Sequence, residues 1–298
     1  MNVFFQKEEL ACEDYSQALV DLLDFKGQFD LCLDRSNWKF GQKHVNYLVL
    51  SWRICDELSL PLFMVDLNKA GNSNTNERLD LLERFGTIFG FNRIKSLIAD
   101  REFIGQKWFV ALHQKGIPFF MRIKENMLTP FGQDTLTVGR YFNHLNPKQN
   151  RKIYKTMYGL DVCLSGTCSK DNELVIVMTN QDLKASEILR IYKKRWSIEE
   201  LFRKLKSSGF DLEKSHMTDP KRLVSLLIIL GMATLVAYLA GKQVKIPFKQ
   251  TVNYLLKSPF RQGLSQLRFY FAKSLKKTIS WILKLLDAAK TVINKSDG

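Results

Sequence analysis

The 298-residue chain has little of what stiffens or staples a small fold, with 7 Pro, 16 Gly and 5 Cys. So few Pro and Gly exclude a collagen-like or linker-dominated chain. Cys12, Cys32, Cys55, Cys163 and Cys168 are odd in number and unevenly spaced, which excludes a disulfide framework and points to a reducing cytoplasm. Cys163 and Cys168 could be half of a zinc site, but no second Cys/His pair lies nearby, and His44, His113, His144 and His216 show no ligand spacing. Met1–Glu9 turns acidic at once and shows no leader pattern, so secretion is not expected. Acidic residues are scarce beside basic ones, 30 against 45, and the net charge of +15 suits a polyanionic partner, either nucleic acid or an anionic membrane surface. That charge is uneven: residues 1–68 carry 6 basic and 11 acidic side chains, residues 242–298 carry 12 and 2. A long polyanion would meet the C-terminal end first.

Hydrophobic residues make up 45% of the chain, enough for a substantial core, so disorder is excluded. Leu223–Gly241 runs nineteen residues without a charge, the length of a membrane span. Ser225, Gly231, Thr234 and Gly241 dilute it, and a helix buried all round looks the same to a hydropathy count. The chemistry below favours a buried helix and no membrane.

Along the chain, residues 9–25 predict an amphipathic helix, and Phe29–Leu33, Val45–Cys55 and Leu60–Leu67 predict three strands of an antiparallel meander. A helix over Asn72–Phe89, a strand over Ile94–Ala99, a helix over 104–115 and a strand over Pro118–Ile123 then alternate as in a parallel α/β unit. Residues 127–180 are rich in turn residues and short alternating strands, which predicts a small β-rich insertion. Helical spacing returns as one helix over Ser186–Ser208, with Ser186 as its cap, and the remainder after the apolar segment reads as basic helix.

The Ser186–Ser208 helix carries the chemistry. On a wheel of about 100° per residue, Tyr192, Arg195, Glu199 and Lys206 fall within an arc of roughly 60°, while Lys193, Lys194 and Glu200 point elsewhere. The stripe lies beside the apolar residues Ile191, Ile198, Leu201, Phe202 and Leu205, where side chains reach along the rim of a core. Intrahelical pairing of Arg195 with Glu199 is the alternative reading. Asp34 and Asp100 stand at predicted strand ends, where Asp also serves as a turn former or helix cap. Together with Glu199 they make three oxygen donors on separate elements, the hard-ligand set suited to Mg²⁺ or Mn²⁺. Two such ions would activate an attacking hydroxyl and stabilise the leaving oxygen of a phosphodiester.

The run Tyr192-x2-Arg195-x3-Glu199-x6-Lys206 resembles the Tyr-Arg-Glu-Lys signature of the bacterial insertion-sequence-four family of DDE transposases. LDRSNWKFG around Asp34 and LIADREFIG around Asp100 are similar to that family's two aspartate blocks. The resemblance covers about residues 29–222. It implies an α/β, ribonuclease-H-like mixed sheet with flanking helices, a β-rich insertion before the glutamate helix and a helical C-terminal region. Its segments would be an N-terminal helical remnant (1–28), the first part of the core (29–126), the insertion (127–183), the glutamate and buried helices (184–241) and a basic helical end (242–298). It also implies cut-and-paste transposition with two Mg²⁺ or Mn²⁺ ions held by Asp34, Asp100 and Glu199, acting on double-stranded DNA as a homodimer. Arg195 and Lys206 would grip phosphates near the cut, and Tyr192 would bond one at the transposon end. Trp196 matches an aromatic at that place in relatives; it could meet DNA or simply pack. Some relatives stack a flipped base on a Trp in the insertion, whereas residues 127–190 contain none, leaving Tyr154 or Tyr158 as substitutes. Only 33 residues precede Asp34, too few for the family's end-recognising domain, so a transposase lacking that domain is expected. The competing expectations are a nuclease of the same fold and an inactive, DNA-binding remnant.

Overall fold

A computed structural model describes residues 9–40, 43–169, 171, 173–207, 209–244, 248–249, 254–255 and 258–295. Residues 1–8, the start of the expected N-terminal remnant, lie outside it, as do most of 245–257. After helix α1 (Cys12–Leu22), the strands β1 (Phe29–Phe40), β2 (Lys43–Cys55) and β3 (Leu58–Asp66) form the expected antiparallel meander. Helix α2 (Thr75–Phe89) starts at a capping box, in which Asn74 accepts from the Glu77 amide and Glu77 accepts from the Asn74 amide. Strand β4 (Ile94–Ala99), helix α3 (Gln106–Gln114) and strand β5 (Phe119–Ile123) follow, and β4 and β5 run parallel to β1. An antiparallel meander continued by parallel β/α units is the ribonuclease-H-like arrangement.

A hairpin of β6 (Leu128–Phe131) and β7 (Asp134–Thr137) stands apart. The next strands, β8 (Asn150–Met157), β9 (Leu160–Cys168) and β10 (Leu174–Thr179), complete the expected β-rich stretch before the glutamate helix. They continue the central sheet, whose eight strands run β3-β2-β1-β4-β5-β10-β9-β8. One residue in two along each strand faces either side. Phe29, Leu31 and Leu33 face α2 and α3, where Phe29 and Phe85 meet edge to face with ring centroids 5.3 Å apart. Cys32, Ile98, Phe120 and Val177 face the opposite way, beneath Ile188, Leu189, Tyr192 and Ile198.

Those four residues belong to two helices, α4 (Ala185–Lys193) and α5 (Trp196–Lys206). The single helix read from the sequence is broken at Lys194–Arg195. Four bonds around the break tighten to the third residue back, from the amides of Lys194, Arg195, Ser197 and Ile198 to the carbonyls of Ile191, Tyr192, Lys194 and Arg195. The cap is Lys184 rather than Ser186. Helix α6 (Pro220–Lys242) is the long apolar segment; Asp219 caps it, Pro220 fills its first turn, and it packs against β3 with most of its length buried. After the short pair β11 (Phe248–Lys249) and β12 (Tyr254–Leu255), helices α7 (Pro259–Lys273) and α8 (Leu275–Lys295) close the chain. Gly241 and Gly263 let α6 and α7 touch backbone to backbone, since a Cβ at either would run into the carbonyl oxygen of Pro259 or of Ala237.

Candidate active site

Strands β1 and β4 pair in register up to Leu33 and Ala99, and there they part. The next residues are Asp34 and Asp100. Asp100 directly follows its strand, as expected, and it caps no helix, because α3 begins later with Gly105 at its cap. Asp34 is not at a strand end: β1 continues to Phe40, paired with β2 alone. The two carboxylates thus flank a notch where the parallel pairing of β1 with β4 ends, next to the C-terminal end of β4, on the side of such sheets where ligands usually bind.

The α4–α5 joint lies over this notch. The Tyr192 hydroxyl donates to Asp100 Oδ1 at 3.3 Å. Arg195 reaches Asp34 Oδ2 at 3.5 Å with one terminal nitrogen and pairs with Glu199 through the other. One phenol and one guanidinium therefore link all three carboxylates, and the intrahelical Arg195–Glu199 pair is part of that link. Glu200 points away and pairs with Arg203. Lys206 sits at the far end, donating to the Asn37 carbonyl at 2.8 Å and lying 5.4 Å from the Trp38 ring, so it lines the continuation of β1 rather than the carboxylates.

Electrostatics follow from this crowding. Burial pushes the Asp34 carboxyl up to about 6; the Arg35 amide and Arg195 oppose that rise, and Glu102 and Asp100 reinforce it. Burial alone would lower the Arg195 guanidinium, but Tyr192, Asp100, Glu199 and Asp34 outweigh it and raise its pKa. Arg195 is the fixed cation of the notch. Among the described residues no three metal-ligating side chains converge ready-made. The donors are nevertheless all carboxylate oxygens, with more negative charge than one guanidinium offsets, and that chemistry fits a hard divalent cation.

Residues 32–236 match the family model of the transposase DDE domain. The chain belongs to this family. No curated protein matches it. Among solved structures, it is similar to the piggyBac transposase in a cryo-EM synaptic complex with hairpin DNA, with a TM-score of 0.48 and 10% identity over 93% of this chain. The chain spans 56% of that protein's length.

Within the DDE domain, Trp196 is 61% exposed and does not fill the core. It borders a groove of 630 Å³ beside the notch, together with Tyr192, Arg195, Val175 and Lys148. Of the two substitute tyrosines, Tyr158 stacks on Phe109, with ring centroids 5.4 Å apart, while Tyr154 is exposed but bonded to Asp182 at 2.9 Å. Tyr154 stands on β8, three strands beyond β5, and so is remote from the carboxylates.

Three features escaped the sequence reading. Arg122 follows Met121, the partner of Ala99, and so stands beside Asp100, paired with Glu173 at 2.5 Å. Arg35 and Glu102 form a forked pair next to the two aspartates. The repeated Asp-Arg at the head of both blocks was the available signal. Third, Lys194 does not point into solvent: its ammonium lies 2.5 Å from Asp30, which also accepts from Ser96 and Arg53. Lys194→Ala should therefore lower stability by about 1–3 kcal/mol, while Lys193→Ala, on the exposed side, leaves it unchanged. Equal denaturant midpoints for the two variants would show that the Asp30–Lys194 pair contributes nothing.

Proposed function

We propose that the chain is a metal-dependent DNA transposase of the insertion-sequence-four type, which cuts DNA strands and joins 3′ ends to a target. The observation that carries this reading is the linkage of Asp34, Asp100 and Glu199 through Tyr192 and Arg195 at the notch where β1 and β4 part. Asp34, Asp100 and Glu199 would hold the Mg²⁺ or Mn²⁺. When bound, the metal would polarise the scissile phosphate and activate the attacking oxygen. Arg195 presents a planar guanidinium at the same place, suited to a phosphate whose charge grows in the transition state. Tyr192 orients Asp100, and Lys206 and Trp196 extend the contact surface to either side, toward DNA backbone and an exposed base face. The excess of positive charge over residues 242–298 supplies sequence-independent affinity.

The test is incubation with supercoiled plasmid and DNA carrying the flanking inverted repeats, with Mg²⁺, with Mn²⁺ or with a chelator. Metal-dependent cutting followed by joined product is expected. Cutting without joining would make the chain a nuclease, and binding without cutting would make it a remnant.

Because metal and proton compete for Asp34, the pH response has a defined sign. A carboxyl whose folded pKa is raised stabilises the metal-free fold fully below the ordinary carboxylate range of about 3.9, and that stability is lost as pH rises through about 6. Metal affinity should rise over the same window. The metal-free protein should lose about 2–3 kcal/mol between roughly pH 4 and pH 7 through this group, and Asp34→Asn should flatten that part of the thermal-midpoint profile. A profile identical to that of the wild type would exclude Asp34 as its source.

A further inference from the structure

We propose that Arg35 and Glu102 form a positioning clamp that sets the separation of Asp34 and Asp100; the inference rests on the metal-binding reading of these carboxylates. Each member sits close in sequence to one aspartate. The Arg35 amide donates to Asp34 Oδ1 at 2.7 Å. Its side chain leaves on the opposite face of β1, toward α2, and meets Glu102 in a fork, Nε to Oε1 and a terminal nitrogen to Oε2, both at 3.3 Å. Glu102 belongs to the turn that Asp100 opens, closed by the bond from the Phe103 amide to the Asp100 carbonyl at 3.0 Å. The clamp thus crosses the gap at the point where the β1–β4 ladder has ended and backbone pairing no longer fixes the distance between the strands.

Both ends of the clamp are held in turn. The buried Asn46 accepts from Arg35 at 3.1 Å and donates to the carbonyls of Lys69 and Gly71, which ties in the loop after β3. On the other side the buried Arg78 of α2 donates to the Glu102 carbonyl at 3.2 Å and lies 5.1 Å from the Phe103 ring. A forked guanidinium–carboxylate pair fixes orientation as well as distance, which a point charge does not. Neither side chain bonds a carboxylate of the triad, so both act through the backbone that carries Asp34 and Asp100.

The experiment is Mn²⁺ titration of the full chain, read by the electron paramagnetic resonance of free Mn²⁺, for the wild type, Glu102→Gln, Arg35→Gln, the double variant and Arg35→Lys. Charge alone makes opposite demands: losing the Glu102 carboxylate would weaken a cation site, and losing the Arg35 guanidinium would strengthen it. The clamp demands the same sign for both. Each single variant should bind Mn²⁺ about 10–100-fold more weakly, as outer partners of metal ligands do. The double variant should be no weaker than the worse single, and Arg35→Lys should fall between. Circular dichroism screens folding; if Arg35→Gln does not fold, Glu102→Gln and Arg35→Lys carry the comparison, because Lys keeps the charge and loses the fork. Opposite signs for the two single variants, or wild-type affinity in Glu102→Gln together with Arg35→Lys, would overturn the clamp while leaving the metal site standing. A wild type that takes up no Mn²⁺ would overturn both.

Discussion

Asp34→Asn, Asp100→Asn and Glu199→Gln should each abolish strand cutting, with a loss on the order of a thousandfold or more, while affinity for DNA is kept. A thousandfold is about 4 kcal/mol of transition-state stabilisation, within what one well-placed electrostatic partner provides. The amides keep shape and hydrogen bonding but lose the charge that recruits a cation. Binding should hold or tighten, since each substitution removes a negative charge facing phosphate. Single-turnover cutting of end DNA together with a filter-binding isotherm separates the two quantities. The sharpest control is Glu200→Gln, which touches the Arg203 pair on the other side of α5 and should cut at the wild-type rate. Normal cutting by Glu199→Gln with loss in Glu200→Gln would end the assignment.

Arg195→Gln should destabilise the metal-free protein markedly. It leaves Asp34 and Glu199 facing the notch without their shared counter-charge. Breaking a fully buried pair costs about 3–5 kcal/mol; here Glu199 is about one-third exposed, and screening reduces the loss to about 1–3 kcal/mol. The diagnostic is reversal by metal. Millimolar Mn²⁺ should raise the thermal midpoint of Arg195→Gln more than that of the wild type, because an added cation replaces the missing one. Cutting should stay impaired even then. A midpoint that falls and does not respond to Mn²⁺ would mean that Arg195 serves packing alone.

What the sequence disclosed and what it hid divide along physical lines. The meander and the strand before Asp100 were legible because they depend on local pattern, alternation and a stop residue, whereas the apolar run Leu223–Gly241 gave only a helix and the chemistry elsewhere in the chain spoke for its burial. The break between α4 and α5 was not legible, since Lys194 and Arg195 are both good helix formers and only the notch beneath them rewards a tighter turn. On a straight wheel Lys194 already falls among the apolar residues, about 200° from Tyr192; its partner Asp30, 164 residues earlier, was what the local pattern could not show. Asp34 read as a strand end because the apolar run Phe29–Leu33 stops there, yet pairing with β2 carries the strand on to Phe40. Likewise the β-rich character of the stretch holding β8–β10 was legible, but its attachment to the central sheet was not; the bonding of β10 to β5 depends on partners some fifty residues apart, which no local window contains. Among the candidate site residues, the types and the spacing were visible, and the linkage was not. Tyr192 to Asp100 and Arg195 to Asp34 are contacts across about 90 and 160 residues.

The joint at Lys194–Arg195 changes what the fixed intervals of the signature tolerate. On one straight helix an extra residue anywhere would swing all that follows by about 100°. Split between two rods, the intervals carry different duties. The two residues between Tyr192 and Arg195 span the bend, so a length change there resets the angle between the rods and pulls the phenol from Asp100 while the Arg195–Glu199 pair travels intact. The three residues between Arg195 and Glu199 are one helical turn, and a length change there separates cation from carboxylate outright. Sequence drift in length is therefore least tolerable in the second interval, whereas the hairpin β6–β7, paired with no other strand among the described residues, is where such drift can accumulate.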